Sequence, residues 1–437
     1  MDKIVKALII TYYWPPSGGA GVQRWLKMTK YFREFGIEPV IYTAENPDMA
    51  MQDISLLAEI PENISVIKHP VWEPYDAYRK MLGKKKTESV NQGFISESKK
   101  SSFLEKFAMW VRGNFFIPDA RKFWIEPSVK FLSEYISDNP VDIIISTGPP
   151  HSMHMIALEL KQKTALPWIA DFRDPWTNID FYDQLHLSKW ADKQHHFMEQ
   201  QVLQNADSVV TVSNSWAKDF IELGRKEVEV ITNGFDDADF PDEDVELFSG
   251  FVLHHIGSMN KDRNPHVLWK VLKELCATNS DFKNDLKIKL TGKNDFTVIE
   301  SIKENGLFTH LELIEYMPHS EIVKQVPKST VLLLPLNDTP NVAGVIPGKL
   351  FEYLAAKRPI LCIGDSTGDS AKIIAECNAG YVCDFTDAYA MKNALVDMYQ
   401  KYQNNTLQVH SKNIEHYTRK GGAKKFAEIM RRLLRTS

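Results

Sequence analysis

NVAGVIPGKLFEYLAAKRPILCIG occupies residues 341–364, and its punctuation reads as a loop, a helix and a strand. Pro347 and Gly348 stand just before a helical run that begins near Lys349. Pro359 ends that run, and RPILCIG (358–364) then reads as a short buried strand. The first turn of such a helix presents amide N–H groups that have no intrahelical partner, here beside an ammonium. That combination is a seat for a diphosphate. Glu352 lies one turn further in, where a carboxylate can accept hydrogen bonds from two vicinal hydroxyls of a ribose. The plainer reading of the same residues is a surface helix on which Glu352 and Lys357 are solvated charges.

The same alternation runs outward from this stretch in both directions. FVLHHIG (251–257), LKIKLTG (286–292), LELIEYM (311–317) and TVLLLPL (330–336) read as strands with helices between them. Ahead of the acidic loop FDDADFPDEDVE (235–246) stand six more: IVKALII (4–10), EPVIYTA (38–44), VDIIIST (141–147), PWIADF (167–172), DSVVTVS (207–213) and VEVITNG (228–234). Strands alternating with helices predict right-handed parallel crossovers and doubly wound sheets. The expected class is α/β, with two Rossmann-like doubly wound parallel-sheet domains facing a cleft. Domain boundaries are expected at 1–245 and 246–410, with the last helix, 411–437, returning to the first domain. Open sheets of this kind bind ligands outside the carboxyl ends of their strands.

A second bare stretch, IITYYWPPSGGAGVQRWLKM (9–28), joins the first strand to the first helix and holds Gly18, Gly19 and Gly21. Backbone amides and a helix start meet here too, which suits a phosphate. From Gly19 the sequence is GAGVQR, so Arg24 stands where a dinucleotide fingerprint has its third glycine. Glu45, at the end of the second strand, keeps a ribose clamp and a nicotinamide enzyme open as a reading. A tight turn that needs positive φ is the plain alternative.

Composition narrows the classes. The chain has 437 residues, enough for two or three domains with full cores, and 52 Lys and Arg against 57 Asp and Glu. A formal charge of −5 argues against nucleic acid as a partner. Cys276, Cys362, Cys377 and Cys383 include no CxxC pair, which suits reduced thiols in the cytoplasm. Neither a membrane-spanning run nor a signal peptide is expected. Residues 79–122 carry eleven Lys or Arg against four acids, mixed with Phe103, Phe107, Trp110, Phe115 and Phe116. The tail 411–437 is basic as well, with Phe426, Met430 and Leu433 on one helical face. Each reads either as a solvated helix over a core or as a patch for an acceptor or an anionic membrane surface.

Taken in order, these pieces carry a resemblance. The early Gly-Gly loop, STGPPHS (146–152), WIADFRDPW (168–176), ITNGFD (231–236), HIGSMNKDRNP (255–265) and the 341–364 stretch resemble the family-four retaining glycosyltransferases of the GT-B fold, over nearly the whole chain. The resemblance implies an N-terminal domain for a glycan or lipid-linked acceptor, a C-terminal domain for a nucleotide-sugar, and a crossing last helix. It implies donor contacts at Gly18, Gly19, Ser258, Arg263, Gly292, Pro347, Gly348, Lys349 and Glu352, with backbone near Tyr316 and Met317 contacting the base. Gly344 stands where the family has a first glutamate, and Ser258 where it often has an arginine, which leaves Arg263, then Lys261, as the phosphate cation. The family histidine aligns with Arg173, and Arg173 with Asp174 resembles an Arg-Asp pair found in some relatives. His151 and Asp171 complete the expected catalytic group.

Retaining transfer, as the resemblance implies it, passes through an oxocarbenium-like state, and the leaving phosphate takes the acceptor's proton. Amide dipoles and cations from both domains would stabilise the departing diphosphate, so no metal and no other cofactor is expected. Asp237-Ala238-Asp239 matches a metal-binding DxD pattern but sits in the acidic loop and reads as linker. His151 and His154 form an HxxH without an adjacent glutamate base or a third ligand. The adjacent pairs His195-His196 and His254-His255 should diverge within a helix or strand. The expected protein is a cytoplasmic transferase in cell-surface polysaccharide or lipopolysaccharide biosynthesis, in peripheral contact with anionic membrane if 79–122 is such a patch. A nucleotide-sugar epimerase of the same fold, an NAD-dependent oxidoreductase and a non-catalytic partner remain as alternatives.

Overall fold

The computed structural model describes residues 3–49, 52–73, 110–180, 182–240, 245–315 and 317–436. Packing divides the chain into two compact units, Met1–Thr232 with Gly422–Ser437, and Asn233–Gly421. Each is built around one parallel sheet.

The first unit has seven strands: β1 (Val5–Ile10), β2 (Ile37–Ala44), β3 (Ser65–His69), β4 (Ile143–Gly148), β5 (Trp168–Phe172), β6 (Ser208–Thr211) and β7 (Glu229–Val230). Their spatial order is β3-β2-β1-β4-β5-β6-β7, and every pairing is parallel. Strand β1 takes Ile41 of β2 and Ile145 of β4 opposite its own Ile9. Because side chains alternate across a strand, β1 feeds two cores. Leu8 and Ile10 pack with Trp124 and Leu132 of helix α2 (Lys122–Asp138) and with Ile156 and Leu160 of α3 (Ser152–Thr164). Ala7 and Ile9 pack with Trp25, Leu26 and Phe32 of α1 (Ala20–Phe32). That second core also takes Phe426 and Met430 from the last helix of the chain, Arg419–Thr436.

The second unit has six strands: β8 (Phe251–Ile256), β9 (Leu286–Thr291), β10 (Leu311–Ile314), β11 (Val331–Pro335), β12 (Ile360–Ile363) and β13 (Gly380–Cys383). Their order, β10-β9-β8-β11-β12-β13, repeats the same winding, again all parallel. Helix α4 (His266–Thr278) covers one face through Leu268 and Leu272. The other face receives Leu350, Phe351 and Leu354 of α6 (Gly348–Ala355), and α5 (His319–Gln325) lies between α4 and α6 in sequence. The last helix, Arg419–Thr436, is α7. Among the described residues no helix is long and apolar enough to cross a membrane.

Both sheets reverse their winding once, between β1 and β4 and between β8 and β11. At such a point the flanking crossovers leave on opposite faces and open a crevice at the carboxyl ends of the strands. The sequence pieces flagged above sit at these ends: Gly18 and Gly19 follow β1, His151 follows β4, Arg173 and Asp174 follow β5. In the second unit Ser258 and Arg263 follow β8, and Pro347–Lys349 lie on the connection after β11.

Candidate active site

In the first unit the connection after β1 turns into α1 at Gly19, whose φ of 96° excludes most side chains. No side chain caps this helix start. The guanidinium of Arg173 lies against it: a Cβ on Gly21 would come 2.5 Å from Arg173 Nη1. Arg173 Nη2 donates to the Pro149 carbonyl, and its Nε has no hydrogen-bond partner among the described residues. Burial lowers the Arg173 pKa, opposed by Asp174 and then Asp171. Burial likewise pushes the Asp174 carboxyl up, with Arg173 opposing.

Beside this group, two imidazoles close over Gly148 at the end of β4. A Cβ there would lie 2.5 Å from His154 Nε2 and 3.1 Å from His151 Nδ1, two nitrogens that lack hydrogen-bond partners among the described residues. The His151 ring stacks on Trp176, centroids 4.4 Å apart. His154 Nδ1 is 2.8 Å from Ser146 Oγ, which also accepts Trp168 Nε1–H at 2.8 Å. Burial drives His154 down to about 3 and His151 well below its usual value, so both rings are neutral at pH 7. Asp171 lies deeper. Its Oδ1 accepts Arg24 Nη2 at 2.8 Å; its Oδ2 accepts Arg24 Nε at 3.1 Å, Trp25 Nε1 at 2.9 Å and Thr147 Oγ at 3.0 Å.

The second unit gathers its candidates at the β8/β11 switch point. Helix α6 starts on Pro347 without a side-chain cap, which leaves its first amides directed outward. Lys349, in that first turn, places Nζ 3.3 Å from Nε2 of the buried His255. It makes no ion pair among the described residues. Desolvation first, then Arg263, holds its pKa well below the usual lysine value, and Glu352 acts the other way. Arg263 is steered by Asn337 Oδ1 at 3.0 Å and the Ser258 carbonyl at 2.9 Å. Glu352 Oε1 is 3.1 Å from His319 Nε2 of α5. Gly292 follows β9 with a φ of 116°, and a Cβ there would meet the Gly257 carbonyl at 2.9 Å.

The structure thus brings Ser258, Arg263, Lys349 and Glu352 together, and separately Gly19, His151, Arg173 and Asp174. Tyr316 lies outside the described residues, and so does most of the basic segment 79–122, up to residue 109. In the remainder of that segment Trp110 and Phe115 are exposed. Reasoning from sequence gave no place in the site to four side chains: Arg24, His154, His255 and His319. The visible signal for His255 was its place two residues before the Gly257 turn that ends a strand. Arg24, at a position marked only as a missing glycine, gave none.

Two family models match the chain, a glycosyl transferase 4-like domain over residues 116–234 and the glycosyl transferases group 1 over residues 247–417. Together they take in well over half of it. The chain is a group 1 glycosyltransferase. Its two parallel-sheet units have the GT-B architecture of solved relatives. This glycosyltransferase superposes on a sucrose-phosphate synthase from Thermosynechococcus elongatus with a TM-score of 0.63 at 12% identity, over 99% of this chain and 100% of that one. Anabaena Alr3699/HepE, solved in complex with UDP, gives 0.59 at 12% identity over 99% of each chain. WaaG, a glycosyltransferase involved in lipopolysaccharide biosynthesis, gives 0.55 at 11% identity over 97% of this chain and 95% of that one. At such identities the likeness speaks for the fold. Among curated proteins, no sequence matches.

Proposed function

We propose that this glycosyltransferase takes its sugar from a nucleotide-sugar and transfers it, with retention, to a glycan or lipid-linked acceptor of cell-surface polysaccharide or lipopolysaccharide biosynthesis. The observation that carries the donor half is the Lys349 ammonium. A partly buried cation normally sits beside a carboxylate, and here its hydrogen-bond partner is an imidazole. With Arg263 close by and the α6 amides pointing the same way, an anion would satisfy all three at once. A donor diphosphate supplies it. Glu352, one turn along α6, is then placed for the ribose hydroxyls. That HepE was solved with UDP supports the ligand class, and WaaG supports the type of pathway.

In this reading the second unit stabilises charge as the diphosphate departs. Fixed cations and amides contribute most where negative charge develops during the reaction, and they need no metal to do so. The departing phosphate oxygen then serves as base for the acceptor hydroxyl. Arg173, Asp174 and His151 are the groups of the first unit offered to the acceptor. A thermal-shift screen across UDP-, GDP-, ADP- and TDP-sugars tests the donor assignment, since a ligand that binds the native state raises its melting point. One donor series should stabilise the protein. The shift should vanish in Lys349→Met and shrink in Glu352→Ala by up to a few kcal/mol of binding energy. If Lys349→Met responds to every donor as the unaltered protein does, the assignment is wrong.

A further inference from the structure

Beside Lys349 lies a buried imidazole, His255, whose Nε2 faces the ammonium. We propose that His255 is a positioning residue: its bare Nε2 aims the Lys349 ammonium while leaving that positive charge uncancelled for an anionic ligand. This rests on the reading of Lys349 as the donor-phosphate cation.

The geometry fixes the tautomer from both sides. His255 is fully buried on β8, and its Nδ1 lies 3.1 Å from the Leu333 carbonyl of the neighbouring strand β11. A carbonyl only accepts, so Nδ1 carries the proton. On the opposite edge of the ring, Nε2 faces Lys349 Nζ at 3.3 Å. An ammonium only donates, so Nε2 is bare. A charged imidazolium would set N–H against N–H. Burial first, then Lys349 and Arg263, keeps the ring neutral; the Leu333 and Ser258 carbonyls act against them.

The backbone beside it is shaped for the same contact. Gly257 has a φ of +104°, and a Cβ there would come 2.8 Å from Lys349 Nζ. A side chain at this turn would push the ammonium out.

The imidazole contrasts with the carboxylates that hold three buried cations of the first unit. Arg24 has Asp171 at 2.8 Å, Arg121 has Glu73 at 2.8 Å, and Lys27 has Glu59 at 2.5 Å. Each of those carboxylates orients its cation and also cancels its charge. A neutral acceptor orients without cancelling. The groups that act on Lys349 are then Arg263 from the connection after β8, Glu352 from α6 and His255 from β8.

Inorganic pyrophosphate is a probe that needs no knowledge of the base. Its affinity, measured by calorimetry, should fall about tenfold in His255→Leu and recover in His255→Gln, whose amide can both donate and accept. Lys349→Met should weaken binding by well more than tenfold, and adding His255→Leu to it should cost nothing more. The pH profile supplies a readout that mere packing would not move. Bound anion favours the ammonium, so affinity falls as pH rises through the Lys349 pKa of the free protein. Removing the acceptor disfavours the ammonium, so in His255→Leu that fall should move to lower pH.

Should both single variants fold poorly, 15N-labelled histidine in the unaltered protein decides. The His255 ring must be neutral and protonated on Nδ1, and its Nε2 resonance must shift when pyrophosphate is added. A ring protonated on Nε2, or a loss of affinity in His255→Leu that adds fully to that of Lys349→Met, overturns the proposal. If the unaltered protein fails to bind pyrophosphate, or Lys349→Met binds it normally, the donor-site reading falls and this one with it.

Discussion

Arg24 and Asp171 are both wholly inaccessible, yet they are fully ionisable side chains in the middle of a helix–sheet interface. Removing two charges from water is costly, and the arrangement persists because nearly every polar atom is used. Arg24 donates to both Asp171 oxygens and also to the carbonyls of Ile231, at 2.9 Å, and Thr232, at 3.0 Å. A single change therefore strands a buried charge. Asp171→Ala should cost about 3–5 kcal/mol. For a unit of this size that lowers the melting temperature by roughly 10 °C. The position lies close enough to the end of β5 to be taken for a catalytic acid from sequence, and the melting curve separates the two roles. A variant that melts normally and loses only turnover would remove the structural role argued here. The sequence could not show this pairing, since 147 positions separate the two residues and a missing glycine at position 24 is silent about what its replacement touches.

The start of α1 shows how an element is shaped by a side chain from elsewhere. Gly21 lies within the helix, where alanine would ordinarily gain up to about 1 kcal/mol over glycine. Here a methyl group would sit 2.5 Å from Arg173 Nη1. The clashing atom is the far end of a flexible side chain, so the fold can yield at little cost while the guanidinium cannot keep its place. Gly21→Ala should leave the melting temperature within a few degrees and reduce transferase turnover about tenfold or more. Equal turnover in the two proteins would mean that Arg173 need not lie on that backbone. At this scale the sequence was largely legible. Apolar runs marked β1, β2, β4, β5, β8 and β11, because strands buried on both faces carry little else, and β9 showed as LKIKLT, with apolar residues at every second position. It failed at β3 and β13, edge strands whose residues are half-exposed and, in GYVC, open on a glycine. Edge position alone does not hide a strand, since β7 and β10 also lie at edges and show in VEVITNG and LELIEYM.

The first unit is not finished when its last strand is. Its core beneath α1 is closed by Ala423, Phe426, Ala427, Ile429 and Met430, residues that follow the entire second unit in the chain. The Phe426 ring lies 5.0 Å from that of Trp25, and Gly422 gives the Met28 methyl room that a Cβ would take, at 2.8 Å. Arg431 donates to the Phe35 carbonyl, and Arg432 pairs with Glu229. The basic face that sequence left open between a solvated helix and a membrane patch is, in part, bound to the protein by these two arginines. Fully burying Phe426, Ile429 and Met430 is worth about 1.5–3 kcal/mol each, so roughly 5–9 kcal/mol rests on this helix. The total stability of a domain is about 5–15 kcal/mol. Deleting residues 422–437 should therefore unfold the first unit outright: near-ultraviolet dichroism from its tryptophans should collapse and a hydrophobic dye should bind. The second unit is built on two cores of its own, and no residue of the deleted segment belongs to either. Pyrophosphate binding at Lys349 should therefore survive the deletion. A truncated protein that keeps its tryptophan signal and melts like the full chain would show that the first unit closes without its last helix.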